Sequence, residues 1–407
     1  MSIITIDLNT YAYGGEVIGR DSEGRAVFVP YAMPGERVRV RLGEEKKGFA
    51  RGELVEVVKF SLDRVDPRCS HFMECGGCHY QHIPYDIQLN AKVDILRDTL
   101  NRIGKQENPP LAPIVPSTTP WNYRNNVQFH LTPDGELGYQ HPGSNTVFAI
   151  KECFLPVLSI GEIWPQLDME VIPGLDRIGL RVGDNDDAIL ILESSDPQPI
   201  EISVDLPISI IHSGPAGQLV LAGDDHIIIT VLDRSFKVSA ESFFQINPLM
   251  AGKMVEYIAN YLRDLTVSTL VDAFCGVGLF SAFLAPHVDR LIGIETSQSA
   301  CDDFVFNLDE YDNVELYEAP VADVLSTFDM NLDALIVDPP RGGLDIKTID
   351  EISRLQPHTL IYVSCNPATL SRDIYRLSKG GYSLRQTTPF DLFPQTYHIE
   401  SISIFEK

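Results

Sequence analysis

Cys365 is the residue whose surroundings most favour chemistry. It falls between an apolar run, Thr359-Leu360-Ile361-Tyr362-Val363, and Asn366-Pro367, which reads as a helix N-cap followed by a proline suited to the first turn. A thiol at a helix N-terminus has its anionic form favoured by the dipole, which makes it a nucleophile rather than the inert hydrophobe most buried cysteines are. Cys301, inside a helical segment, reads as the inert kind. Glu400 shares one face of a predicted strand, His398 to Ile404, with Ile402 and Ile404. A carboxylate on an apolar face has a raised pKa unless it is paired, which suits a general base. The plain alternative is a strand-end glutamate reaching water.

A second constellation is built for a cofactor. The apolar run Thr269-Leu270-Val271 enters Asp272-Ala273-Phe274-Cys275-Gly276-Val277-Gly278. Glycines at a strand-to-helix turn let a ligand approach the backbone beside a helix N-terminus. Seventeen residues beyond Gly278 the next strand ends in Gly293-Ile294-Glu295, whose carboxylate can accept hydrogen bonds from ribose hydroxyls. One GxG is common in any α/β domain, but strand, DxxxGxG and second carboxylate together form a stronger signal. NAD would want glycine or alanine where Ser281 stands, and Asp272 ahead of the glycines fits a methyl donor better. Val337-Asp338-Pro339-Pro340-Arg341 and Val363-Ser364-Cys365-Asn366-Pro367 are two more strand ends. In open α/β sheets ligands lie beyond the carboxyl ends of strands, so both aim at the cofactor.

Cys69, Cys75 and Cys78 crowd into ten residues of a chain whose seven cysteines come without a secretory leader. In a reducing compartment such clustering indicates metal rather than disulfides. With Cys153 they offer four thiolates, as an iron–sulfur cluster needs; with His71, His79 and His82 nearby, zinc is an equal reading on spacing alone.

The elements that must carry these residues fall into three groups. Residues 1–60 read as five short strands with Gly and Pro turns, a barrel of the OB type. Arg37-Val38-Arg39-Val40-Arg41-Leu42 alternates as a strand with one basic face. Residues 61–240 hold the cysteine loop, a helix from Tyr85 to Gly104, a Pro-rich connector at 105–120 and a strand-rich stretch to about 238. Residues 241–407 alternate helices with continuous apolar strands, the pattern of a parallel, doubly wound, Rossmann-like sheet. A net charge of -25 argues at first against nucleic acid. Residues 1–60, however, hold nine acidic and nine basic side chains, and six of the basic ones lie between Arg37 and Arg51. A local patch can steer RNA on an acidic protein. No run is long and apolar enough to span a bilayer and no signal peptide is evident, so a cytoplasmic location is expected.

Ser242-Phe243-Phe244-Gln245-Ile246-Asn247, DAFCGVG, DPPR, SCNPATLSRD and Asp391-Leu392-Phe393-Pro394-Gln395-Thr396-Tyr397-His398-Ile399-Glu400 occur in that order. They resemble the RNA uracil-5 methyltransferase family, over nearly the whole chain and most loosely across 155–235. Residues 1–58 look like a TRAM domain. The resemblance implies S-adenosyl-L-methionine-dependent methylation of uridine in rRNA or tRNA, with Cys365 as nucleophile and Glu400 as base. It implies donor contacts from Gln245, Phe274, Glu295 and Asp338, a loop shaped by Gly276 and Gly278, and a reach to adenine by Asp323, where the match is poor. It also implies a 4Fe-4S cluster on Cys69, Cys75, Cys78 and Cys153. RNA is the expected partner of a monomer, with no membrane and no DNA. An amino-group methyltransferase would need neither SCNP nor the final glutamate, and a non-catalytic RNA-binding iron–sulfur protein would need no intact glycine loop.

Overall fold

The computed structural model describes residues 2–196, 198, 200 and 205–407. Its first unit is a closed barrel of β1 (Ile3–Ala12), β2 (Glu16–Arg20), β3 (Ala26–Pro30), β4 (Arg37–Glu45) and β5 (Phe49–Lys59), in the order β1-β2-β3-β5-β4. Period-two alternation sets the inside: Val38, Val40 and Leu42 of β4 are buried, while Arg37 and Arg39 face outward.

The cysteine-bearing loop leads into α1 (Tyr85–Arg102). Beyond it a sheet of order β12-β11-β10-β9-β6-β7-β8 collects β6 (Asn126–Leu131), β7 (Leu137–Gln140), β8 (Val147–Ala149), β9 (Leu175–Val182), β10 (Ala188–Ser194), β11 (Ser209–Gly214) and β12 (Gly217–Ala222). A short helix, α2 (Leu158–Ile163), packs Ile160 against Phe129, Ile178 and Leu180 of that sheet. The hairpin β13 (His226–Val231) and β14 (Arg234–Ser239) then buries Ile227, Ile229, Phe236 and Val238 against Met250, Met254 and Ile258 of α3 (Pro248–Arg263).

The remaining chain forms β15 (Thr269–Ala273), α4 (Leu279–Leu284), β16 (Arg290–Glu295), α5 (Gln298–Asn307), β17 (Val314–Glu318), α6 (Val321–Thr327), β18 (Ala334–Val337), α7 (Ile346–Leu355), β19 (Thr359–Ser364), α8 (Pro367–Lys379), β20 (Ser383–Phe390) and β21 (Glu400–Glu406). Their sheet runs β17-β16-β15-β18-β19-β21-β20. The first five strands are parallel, as expected, and every residue of β18 and β19 is buried. β21 and β20 complete the sheet antiparallel. They are joined by residues 391–399 without a crossover helix, and a parallel pair would require one.

Two upstream segments join this unit. Ile95, Leu96 and Leu100 of α1 share a core with Val271, Ile292, Tyr362 and Leu370. The Pro-rich connector is no free linker: Ala112 N donates to Thr387 O (3.0 Å), Val115 N to Pro389 O (2.8 Å) and Asp391 N to Val115 O (2.9 Å). Prolines are tolerated in such a lane because it lies at the sheet's edge.

Candidate active site

Strand register brings Cys365 and Glu400, the two residues expected to react, together. Ser364 of β19 lies opposite Ser401 of β21, so the next residues outward, Cys365 and Glu400, leave the sheet side by side. Val337 of β18 pairs with Ala273 and with Tyr362, which puts Phe274 and Asp338 on the same edge. Asn366 caps α8 as expected, its Oδ1 accepting from Ala368 N at 3.0 Å. α8 also ties down the 338–343 loop: Asn366 Nδ2 and Thr369 Oγ1 both donate to Arg341 O at 3.2 Å, and Arg372 donates to Gly342 O at 2.9 Å.

The electrostatics differ from the expectation for Cys365. Burial, then the neighbouring Glu400 and Asp338 carboxyls, push its thiol up to about 12, against the opposing charge of Arg341. The helix N-terminus is outweighed chiefly by burial of the thiol, with the two neighbouring acids adding to it. Burial and Asp338 likewise hold Glu400 well above the usual carboxylate range, as its apolar strand face predicts. Asp338 is raised to about 7 by burial and then by Asp272. All three groups are thus biased toward their protonated forms.

The turn between β15 and α4, where donor contacts are expected, is built on three positive-φ residues. Phe274 takes the left-handed conformation (φ +62°), Gly276 follows at +54° and Gly278 at +90° caps α4. A side chain at Gly276 would meet nothing within 4 Å, so that turn lies open to a ligand. Glu295 organises the loop, taking Gly276 N (3.0 Å), Thr296 N (2.7 Å) and Ser297 N (2.9 Å). Asp272 is fully buried and accepts from Ser281 Oγ at 2.6 Å; its other oxygen has no partner among the described residues. Asp323 sits exposed in the first turn of α6, just past Ala319, whose N–H bonds Glu295 O. Gln245 lies half-buried in the loop before α3.

All four clustered cysteines face one cavity of about 530 Å³, together with Arg124 and Phe243. Burial pushes Cys78 up to about 12 and Cys153 to about 11. Among the described residues no three His, Cys, Asp or Glu side chains converge as a single ion demands. Two of the three histidines of the zinc alternative turn elsewhere, His82 to Ala32 O (3.1 Å) and His79 onto the Tyr397 ring, while His71 lines the cavity with its Nε2 receiving Lys151 N (3.0 Å).

Sequence reasoning missed three contributors. Arg341, quoted only as part of DPPR, is the cation that opposes the acids around Cys365 and Glu400. Tyr13 comes from the barrel and sets its ring against Tyr397 (centroids 5.4 Å apart, 87°). Nothing local marks it. Arg124 lies at the cysteine cavity, and a lone arginine between strands gives no signal. The basic face of β4 is in turn largely neutralised: Arg37 pairs with Asp7, Arg39 with Glu56 and Arg41 with Glu53.

A glycine-lined strand-to-helix cradle, a carboxylate on the next strand and a reactive sheet edge define an S-adenosylmethionine-dependent methyltransferase. Residues 202–407 match the family model "tRNA (Uracil-5-)-methyltransferase", and residues 2–55 match the TRAM domain. An uncharacterised RNA methyltransferase of Halalkalibacterium halodurans is 30% identical, covering 99% of this chain and 97% of its own length. One from Thermosynechococcus vestitus is 31% identical over 98% and 97%. The chain belongs to the tRNA (uracil-5-)-methyltransferase family, the family its SCNP and FPQTYHIE motifs resemble, and is an S-adenosylmethionine-dependent RNA methyltransferase. Its fold is that of the Pyrococcus abyssi tRNA (uracil-54, C5)-methyltransferase solved with S-adenosyl-L-homocysteine (TM-score 0.74, 23% identity, 98% of this chain and 100% of that one).

Proposed function

We propose that this protein methylates carbon 5 of an unpaired or flipped uridine in structured RNA through a transient bond between Cys365 and carbon 6. The observation that carries this reading is the register that sets Cys365 beside Glu400 at the edge shared with Asp338 and the glycine loop. Carbon 5 of uracil is too weak a nucleophile to take a methyl group unaided. The Cys365 thiol loses its proton to solvent water, the sulfur adds to carbon 6, and the electrons of the carbon 5–carbon 6 double bond move toward the carbon 4 oxygen as an enolate. Carbon 5 of that enolate then takes the methyl group. Glu400 removes the carbon 5 proton, the double bond re-forms, and the Cys365 thiolate leaves. S-adenosylmethionine supplies the methyl group, and its sulfonium charge favours the ionised forms of the neighbouring acids. The open turn at Gly276, the Glu295 brace and the unpartnered Asp272 oxygen fit that donor. Arg341 supports the charged thiolate and enolate.

In this reading residues 1–60 and 61–240 handle RNA, residues 241–407 carry the chemistry, and the site of action is the cytoplasm. Cys69, Cys75, Cys78 and Cys153 hold a 4Fe-4S cluster. All four line one cavity, which is the observation behind this assignment. The cluster would cross-link the 69–78 loop to the strand-rich part. Protein purified without oxygen should then be brown and carry iron and acid-labile sulfide; colourless, iron-free protein removes the cluster from the proposal.

Cys365→Ala should bind RNA and donor yet yield no product. Glu400→Gln should methylate once and accumulate a stalled protein–RNA adduct on denaturing gels; its absence counts against the base. Incubation with unmodified tRNA and large-subunit rRNA, followed by mapping of 5-methyluridine, identifies the acceptor.

A further inference from the structure

Residues 391–399 join β20 to β21 and end on Glu400, which lies directly opposite Phe390 in the register. No regular structure holds this loop, and Gln395 within it sits at φ +67°. Its carbonyls are instead taken one after another by residues far upstream. Asn247 Nδ2 donates to Leu392 O (3.2 Å), Lys92 Nζ to Phe393 O (2.9 Å) and the Tyr123 hydroxyl to Pro394 O (3.0 Å). His79 N and Tyr80 N both reach Gln395 O, at 2.9 and 3.0 Å.

Helix α1 supplies the densest part of this grip. Gln88 Nε2 donates to Gln395 Oε1 (3.0 Å), and Gln395 N donates back to Gln88 Oε1 (3.1 Å). Lys92 and Asp391 form an ion pair at 2.5 Å with both side chains 0% exposed, and the Tyr85 hydroxyl donates to the other Asp391 oxygen at 2.7 Å. A buried ion pair is weak as a source of net stability, since desolvation offsets the attraction. What such a pair does supply is geometry. Asp391 follows Phe390, so anchoring it fixes the strand end that faces Glu400.

We propose that Gln88 and Lys92 are positioning residues for proton abstraction. They lock loop 391–399 and so hold the Glu400 carboxylate against carbon 5. This inference rests on Glu400 being the base.

Gln88→Met removes both bonds to Gln395 without leaving a charge, and Lys92→Met combined with Asp391→Asn removes the buried pair together. For either variant, KM for RNA and donor affinity should stay within about threefold of the parent protein. kcat should fall by about 100-fold, the scale of a misplacement near 1 Å. Denaturing gels should show the covalent adduct accumulating. A parent-like kcat, or a parallel loss of donor affinity and adduct formation, reduces both residues to structural supports and overturns the inference. Glu400→Gln run alongside separates the two ideas. If it traps adduct and the α1 variants do not, only the positioning role fails; if it traps none, the base assignment fails and takes this inference with it.

Discussion

Asp272, Asp338 and Glu400 share a dry edge where each carboxyl is held toward its protonated form, chiefly by burial. Asp272 is raised from 3.8 to about 7 although Ser281 donates to it. A folded-state pKa above the unfolded value gives stability that is complete below the unfolded pKa and is lost as pH rises through the folded one. Asp272→Asn escapes that loss. It should stabilise the protein by roughly 1–3 kcal/mol near pH ~8 and by less near pH ~5. Thermal unfolding across that window checks it, and a gain that is equal at both ends contradicts the shifted carboxyl. The positions of Cys365 and Glu400 were legible because each carries a local sign, a strand-to-helix junction and an apolar strand face. The resting state of the thiol was not, because the burial that chiefly opposes ionisation, and the acids beside it, come from other parts of the chain. Lys92 was equally hidden, its partner Asp391 being 299 residues away.

The elements most readable in the sequence were those buried on both faces. Leu291 to Ile294 and Ala334 to Val337 are continuous apolar runs and form the middle of β16 and the whole of β18. Edge strands lack that signature: Val314-Glu315-Leu316-Tyr317-Glu318 became β17, and Ser383 to Phe390, with Arg385, Gln386 and Pro389, became β20. The proline-rich 105–120 stretch looked like a tether for the same reason, because backbone pairing leaves no side-chain pattern to read. The turn between β15 and α4 is the element most exposed to substitution. At Gly278 an added Cβ would lie 2.4 Å from Leu308 Cδ1 and 2.9 Å from Phe304, at φ +90°. Gly278→Ala should therefore cost about 2 kcal/mol or more and weaken donor binding. Gly276→Ala meets no atom and should cost only about 1 kcal/mol of backbone strain. Melting temperatures and donor titrations of the pair test the difference, and equal losses refute the packing account.

Across the whole molecule the charge expected to attract RNA is smaller than the arginine count suggests. Arg37, Arg39 and Arg41 already have carboxylate partners, and the chain carries a net charge of -25. RNA affinity should thus depend only modestly on salt, with a log–log slope shallower than about -4. Filter binding over a salt series measures it; a steeper slope means that the ion pairs open to engage phosphates. A shallow slope would leave recognition to shape and to aromatic surfaces such as Phe243, 70% exposed beside the cysteine cavity.

Loop 391–399 is gripped from α1, from the cysteine loop and from Tyr123, all of which precede the segment 202–407 that defines the family. An engineer who treated that segment as a portable cassette, and fused it to a foreign RNA-reading half, would carry the glycine turn and the thiol, without the α1 side chains that pack on Val271 and Ile292. The clamp would stay behind. Such a chimera would seize its first transcript and be slow to let it go, so transplants should be cut ahead of Cys69.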